Sequence, residues 1–287
     1  MAQEKESKPA AQPVIRVAGL VKRYDGRAVL DGVNLEVMQG ETMVVMGRSG
    51  CGKSTLLHHM IASTVCDEGR VELFGHDLAK LDEEQLDAMR KRFGILFQSG
   101  ALLSSLTVGE NVALPLREHT DLDEDTIGIM VKIKLELVGL RYAEHLTPAE
   151  ISGGMKKRAG LARAIALDPE ILFYDEPSAG LDPVTSAEID QLMMDLSSKF
   201  GVATVVVTHE MDSAFRIADR MVMLDKGQLL KVGSREDFEA IRAGPATGDS
   251  TVDLIRQFLR GDSQGPITQR RLSGGYAEDI MEAAGGR

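Results

Sequence analysis

The amino-acid sequence predicts an α/β protein built on parallel strands, and three stretches carry that expectation. In "TMVVMGRSGCGKSTLLHHMI" a short apolar run, Met43 to Met46, turns through glycines and continues with the periodicity of a helix. In "EILFYDEPSAGLDP" a second run, Ile171 to Tyr174, ends in two adjacent carboxylates, Asp175 and Glu176. The third, "ATVVVT" at 203–208, is strand-sized and leads into His209. Near-continuous apolar runs of this length suit strands buried on both faces.

The first stretch reads as strand, loop and helix. Gly47, Gly50 and Gly52 permit backbone angles and close approaches that a side chain would block, so successive N–H groups can converge on phosphate oxygens at a helix N-terminus. Lys53 can then reach the β and γ phosphates, and Ser54 can ligate magnesium. Arg48, Ser49, Cys51 and Thr55 complete the nucleotide-binding segment. A glycine-rich turn without a ligand is the plain alternative, but four fixed positions within Gly47–Ser54 are a specific match to a P-loop. That loop alone does not separate kinases, GTPases and motor ATPases, and the second stretch adds to it. Ligands in parallel α/β sheets sit beyond the C-terminal strand ends, which places Asp175 beside the loop, able to hold magnesium. Neighbouring residues on extended chain point in different directions, so Glu176 can face the attacking water while Asp175 serves the metal.

Composition narrows the partners. With 44 acidic and 33 basic residues the formal net charge is −11, which argues against a row of phosphate contacts on nucleic acid. No run reaches the roughly 18 apolar residues needed to cross a bilayer. The opening "MAQEKESKPAAQP" has no apolar core of the secretory kind, so the cytosol is the expected compartment. Two cysteines, Cys51 and Cys66, give neither a disulfide framework nor a zinc spacing, and both read as small packed side chains.

Taken in order, the P-loop Gly47–Ser54, Gln98 in "ILFQSG", "ISGGM", "ILFYDEP", "SAGLDP" and His209 in "VVVTHE" resemble the ATP-binding cassette (ABC) motifs: Walker A, Q-loop, signature, Walker B, D-loop and H-loop. The likeness covers roughly Val14 to Ile241. It implies a P-loop NTPase fold: a RecA-like core with an inserted α-helical subdomain at about 99–168 and a small antiparallel β subdomain near the N-terminus. Residues 14–243 would form the nucleotide-binding domain after a disordered segment, 1–13. A linker, a short helix and a weakly ordered tail would follow at 244–287. The resemblance further implies ATP and Mg2+ as ligands and a homodimer that sandwiches two ATP molecules head to tail. Glu176, His209 and Gln98 take the catalytic roles, with Gln98 touching magnesium beside Ser54 and Asp175, and Asp182 belongs to the D-loop. Tyr24 stands where the family stacks an aromatic on adenine, and His209 can donate to the γ-phosphate.

"Ser-Gly-Gly" occurs twice, at Ser152–Gly154 and Ser273–Gly275. The resemblance places Ser152, Gly153 and Gly154 at the start of a long helix, "GMKKRAGLARAIA", whose amides and basic residues suit an anion, the partner subunit's ATP. The second copy lies in a polar, Gly-rich tail and reads as an accident. Met155 departs from the glutamine common at that position. "FQSGALLSSLTVGENVALPLREHT", the signature region and "RQFLRGDSQGP" together resemble the Mla-type ATPases of MCE-associated phospholipid transporters. That likeness implies integral-membrane permease subunits, an MCE-type lipid-binding subunit and a small accessory subunit as partners, at the cytoplasmic face of the inner membrane. The apolar residues Leu102, Leu103, Leu106, Val112, Leu114 and Leu116 suggest that part of Gly100–Leu116 forms a groove for a permease helix, with ordinary core of the helical subdomain as the alternative. The alternatives are the ATPase of a small-solute, amino-acid type transporter, a soluble cassette acting on ribosomes or DNA, and a non-hydrolysing scaffold.

Overall fold

The computed structural model describes residues 12–268. Its first layer is antiparallel. β1 (Ile15–Tyr24) and β2 (Arg27–Val37) form a hairpin closed by Asp25 and Gly26, whose φ angles of 51° and 76° are the left-handed pair a two-residue turn needs to match strand twist. β4 (Glu68–Leu73) pairs with the other edge of β1, and the short β5 (His76–Asp77) completes the order β2-β1-β4-β5.

The second sheet holds β3 (Thr42–Gly47), β6 (Phe93–Leu96), β7 (Ile171–Asp175), β8 (Ala203–Val207), β9 (Arg220–Asp225) and β10 (Gln228–Ser234), in the order β10-β9-β3-β8-β7-β6. All neighbours are parallel except β10, which pairs antiparallel with β9. Both faces are covered, and the period of two sorts the side chains. Met43 and Val45, Ile171 and Phe173, and Val205 and Val207 enter one apolar cluster, together with Leu56 and Leu57 of α1 (Lys53–Met60) and the inner residues of β1 and β2. Val44 and Met46, Leu172 and Tyr174, and Val206 enter a second cluster on the opposite face.

Three helices dominate that second cluster: α3 (Val108–His119), α4 (Glu124–Leu137) and α5 (Gly153–Ala164), all inserted between β6 and β7; α2 (Glu83–Arg90) precedes β6. Thr107 and Glu110 form a reciprocal cap on α3, and Asp123 caps α4 by accepting from Thr126 N–H, so each first turn has an orphan amide satisfied by a side chain. Fully buried Asn111 accepts from Leu103 N–H at 2.8 Å and donates to the Leu103 and Thr107 carbonyls at 3.1 and 2.9 Å, pinning the loop ahead of α3. Within Gly100–Leu116, Val112 and Leu116 are core and Leu102 packs against it, whereas Leu103 is 46% exposed. Core therefore takes up only part of this apolar count, since Leu106 and Leu114 are half-buried.

α6 (Pro183–Phe200) leads to β8, α7 (Met211–Ile217) to β9, and α8 (Arg235–Ala243) follows β10. α9 (Ser250–Arg260) packs on α8, burying Leu254, Ile255 and Leu259 in the same cluster as Phe238. Arg260 fastens the connection by donating to the carbonyls of Arg242 at 2.6 Å and Gly244 at 2.8 Å. The second Ser-Gly-Gly, Ser273–Gly275, and nearly all of 1–13 lie outside the described residues.

Candidate active site

The site collects at the C-terminal ends of β3, β7 and β8 because the strands are in register. Val45 of β3 lies opposite Val207 of β8, which lies opposite Asp175 of β7. Asp175 thus stands level with the base of the loop that begins at Gly47.

That loop is tightly held. A Cβ at Gly47 would sit 2.2 Å from the Leu224 carbonyl oxygen of β9, so only glycine permits this approach. Gly50 has open space around it but a φ of 74°, a left-handed turn that redirects the chain. Gly227 N–H donates to the Cys51 carbonyl at 2.9 Å, tying the loop to the β9–β10 hairpin, and Arg48 approaches buried Asp225 at 4.0 Å. Cys51 itself is buried, which pushes its thiol up and leaves it a packing residue.

The loop ends in α1, whose N-cap is Gly52. No side chain caps this helix and its first turn, where Ser54 and Thr55 lie, carries no acidic residue, so its leading amides remain available to an oxyanion. Lys53 is buried and donates to the carbonyls of Gly47 at 2.8 Å and Arg48 at 3.3 Å. Among the described residues no carboxylate lies within ion-pair distance of its ammonium. A glycine cradle, uncapped amides and an unneutralised cation fit a nucleotide's phosphates.

At the end of β7, burial and then the adjacent Glu176 raise the Asp175 carboxyl above its ordinary range, against the pull of His58, Lys53 and Lys157. Glu176 occupies the left-handed region, φ 49°, which costs a non-glycine residue about 1–3 kcal/mol. Its N–H donates to the Val207 carbonyl at 2.9 Å, and its Oε2 lies 2.8 Å from His209 Nδ1, within hydrogen-bond distance of the imidazole. Glu176 and His209 are thus brought together, with the His209 side chain 60% exposed beyond the carboxylate.

Gln98 follows β6, whose Leu96 lies opposite Tyr174, and so stands exposed beside the Asp175–Glu176 strand end. The loop after it is clamped by α5: Arg163 donates to the carbonyls of Ala101 at 2.7 Å and Gly100 at 3.1 Å, and Gly160 packs against the Gly100 carbonyl. Tyr24 ends β1, is 48% exposed, and carries the Lys22 ammonium 5.5 Å from its ring centroid.

Ser152 caps α5, accepting from Met155 N–H at 3.3 Å, and both Ser152 and Gly153 are exposed. Gly153 and Gly154 lie against Leu181 and Thr185, at the start of α6. Asp182 is the N-cap of α6, accepting from Val184 and Thr185 N–H and from the Thr185 hydroxyl, which holds its carboxyl below the usual range.

One expectation needs correction. The basic residues of α5 were read as facing an anion, but Arg163 serves the Gln98 loop, Arg158 approaches Glu188 at 3.5 Å, and Lys157 is buried with its ammonium on the Glu176 carbonyl at 3.0 Å. Three of the four basic residues are thus engaged inside the chain, which leaves the first-turn amides, Ser152 and half-buried Lys156 as the part of α5 open to an anion. Sequence reasoning missed Lys157 and Arg163 as parts of the site. The small residues Ala159, Gly160 and Ala162 mark α5 as a packed helix, but they do not single out which of its basic side chains is buried.

A cavity of about 760 Å3 opens between the sheet edge and the helical layer, lined in part by His58, Arg90, Phe97, Pro115, His119 and Arg163. Among the described residues no helix is long and apolar enough to cross a membrane.

A family model for ABC transporters matches residues 30–179. The intermembrane phospholipid transport system ATP-binding protein MlaF of Haemophilus influenzae is 37% identical over 272 residues, covering 94% of this chain and 99% of that protein. A probable ribonucleotide transport ATP-binding protein, mkl, of Mycobacterium leprae is 42% identical over 253 residues, covering 88% of this chain and 70% of its own length. Among solved structures, a dimeric ATP-binding cassette bound to ADP and phosphate after hydrolysis superposes with a TM-score of 0.71 at 31% identity, covering 77% of this chain and 98% of that one. Matched over half its length by the family model and nearly end to end by a relative, the chain belongs to the ABC transporter family and is one of its ATP-hydrolysing cassettes.

Proposed function

We propose that the chain drives phospholipid transport, working as two copies beneath an integral-membrane permease at the cytoplasmic face of the inner membrane, with MCE-type and small accessory subunits as further partners. Coverage carries this reading: the phospholipid-system relative is matched over 99% of its length, the ribonucleotide-named one over 70%. The cavity beside Phe97 and Pro115 suits a permease helix because it abuts the Gln98 loop.

In the same reading residues 14–243 are the nucleotide-binding domain. Gly47–Thr55 hold the ATP phosphates, Tyr24 stacks on the adenine, and Ser152–Gly154 close on the ATP of the second copy near the Asp182 loop. Ser54, Asp175 and Gln98 supply the hard oxygen donors magnesium prefers. The metal would neutralise phosphate charge as the bond to the γ-phosphoryl group breaks. Glu176 orients the attacking water and takes its proton, held in place by His209.

The test is co-purification of the tagged chain from detergent-solubilised membranes, followed by reconstitution into phospholipid vesicles. A multispanning partner and ATP-dependent movement of a labelled phospholipid, lost with Lys53→Ala, are expected. A complex that hydrolyses ATP but moves only small solutes would overturn the lipid assignment.

A further inference from the structure

Buried ammonium groups are rare and need partners. Lys157 is 5% exposed, in the middle of α5, and its Nζ donates to the main-chain carbonyl of Glu176 at 3.0 Å. Burial lowers its pKa, while Glu210, Asp175 and Glu176 pull the other way, so the group sits among the carboxylates of the strand end. The residue it grips is the one in the left-handed conformation. The Glu176 peptide is fastened on both sides: its N–H is held by Val207, and its carbonyl accepts from Lys157 and from Ala179 N–H at 3.2 Å. An apolar side chain of similar length could fill the same space without the cost of desolvating a charge. A packing role alone therefore does not account for the ammonium.

α5 carries three attachments along one rigid rod. Ser152 stands at its exposed start, Lys157 grips the Glu176 peptide, and Gly160 with Arg163 holds the loop after Gln98. We infer that Lys157 is a positioning residue for ATP hydrolysis, holding the Glu176 peptide from inside α5 so that the carboxylate's placement follows the position of the helix that begins at Ser152. The inference rests on the reading of Glu176 as the residue that faces the attacking water. It adds that the two ends of the chemistry in one chain, the surface offered to the second copy and the base serving its own nucleotide, are joined by one lysine.

The test compares Lys157→Met, Lys157→Arg and Glu176→Gln in the full chain, by steady-state ATPase and by titration with a fluorescent ATP analogue. Lys157→Met should lower kcat about tenfold or more, with KM and analogue affinity within about twofold, because a displaced base slows chemistry without weakening the phosphate loop. Lys157→Arg, which keeps a cationic donor, should recover kcat to within about threefold of wild type. Adding Lys157→Met to Glu176→Gln should cause little further loss, since the group being positioned is gone. Should Lys157→Met not fold, Lys157→Gln is read against the same criteria. A kcat within twofold of wild type, a fall in affinity parallel to the fall in kcat, or no recovery with arginine would overturn the role of Lys157. Wild-type turnover by Glu176→Gln would instead remove the reading of Glu176 itself.

Discussion

The N-termini of α1 and α5 make an instructive pair. Every other α-helix among the described residues has a carboxylate at its N-cap or in its first turn, from Glu83 and Glu84 in α2 to Asp249 and Asp253 in α9. These two have none. Acidic groups satisfy and neutralise a helix start, so leaving them out keeps its amides and partial positive charge for something else. The two starts differ in enclosure. The α1 start is walled in by β9 and the β9–β10 hairpin and backed by Lys53, whereas the α5 start is exposed and carries only a serine cap. In the proposed reading, one surrounds a ligand within the chain and the other is pressed onto one from outside.

The contrast can be broken most severely at Lys53. Lys53→Ala should lower ATP turnover about 10² to 10³-fold and weaken nucleotide binding by the single chain, since it removes a charge aimed at the phosphates. Turnover within twofold of wild type would end the assignment of the α1 start. Ser152→Arg should also lower turnover about a hundredfold, but leave ATP binding by the single chain within about twofold. Equal loss of binding would mean that both starts serve the same nucleotide. Mixed dimers sharpen this point: with both changes on one chain no intact composite site remains, and with one change on each chain a single site survives. Nucleotide trapping should persist only in the second arrangement.

Smaller effects test enclosure itself. Gly47→Ala forces a methyl into the Leu224 carbonyl and should cost about 1–3 kcal/mol in urea unfolding. Gly153→Ala meets only Leu181 at 3.6 Å and should stay within about 1 kcal/mol of wild type. The smallest change is Ser152→Ala, which loses a long, exposed cap bond worth about 0.5–1 kcal/mol. A larger loss there would show the α5 start to be more tightly built than its exposure indicates.

What could be read from the sequence was local. Met43–Met46 and Ile171–Tyr174 declare buried strands by their apolar runs, and the glycines after Met46 declare the turn. The ATP-hydrolysing cassette and its α/β fold were legible from six short motifs in order. Contacts that depend on how a helix lies on a strand were not. Lys157 reaches a carbonyl 19 residues away, and nothing in "GMKKRAGL" distinguishes it from Lys156 until α5 is laid against β7. Asp182 was read only as part of a loop, although an aspartate followed by proline is also a helix-start signal, the role it plays in capping α6. The contact of His209 with Glu176 likewise follows from the register of β7 and β8 and not from either residue's neighbours in the sequence.

The two-faced sheet has an energetic corollary. Met43 and Val44 are bonded neighbours, yet they enter different apolar clusters on opposite sides of the sheet. Val44 and Val206 are 162 positions apart in the chain, yet they lie in register on β3 and β8 and share one cluster. Truncating the adjacent pair should therefore give nearly independent losses, while truncating the distant pair opens one shared void and gives a non-additive loss. Along this strand, energetic kinship skips every second residue and crosses most of the polypeptide.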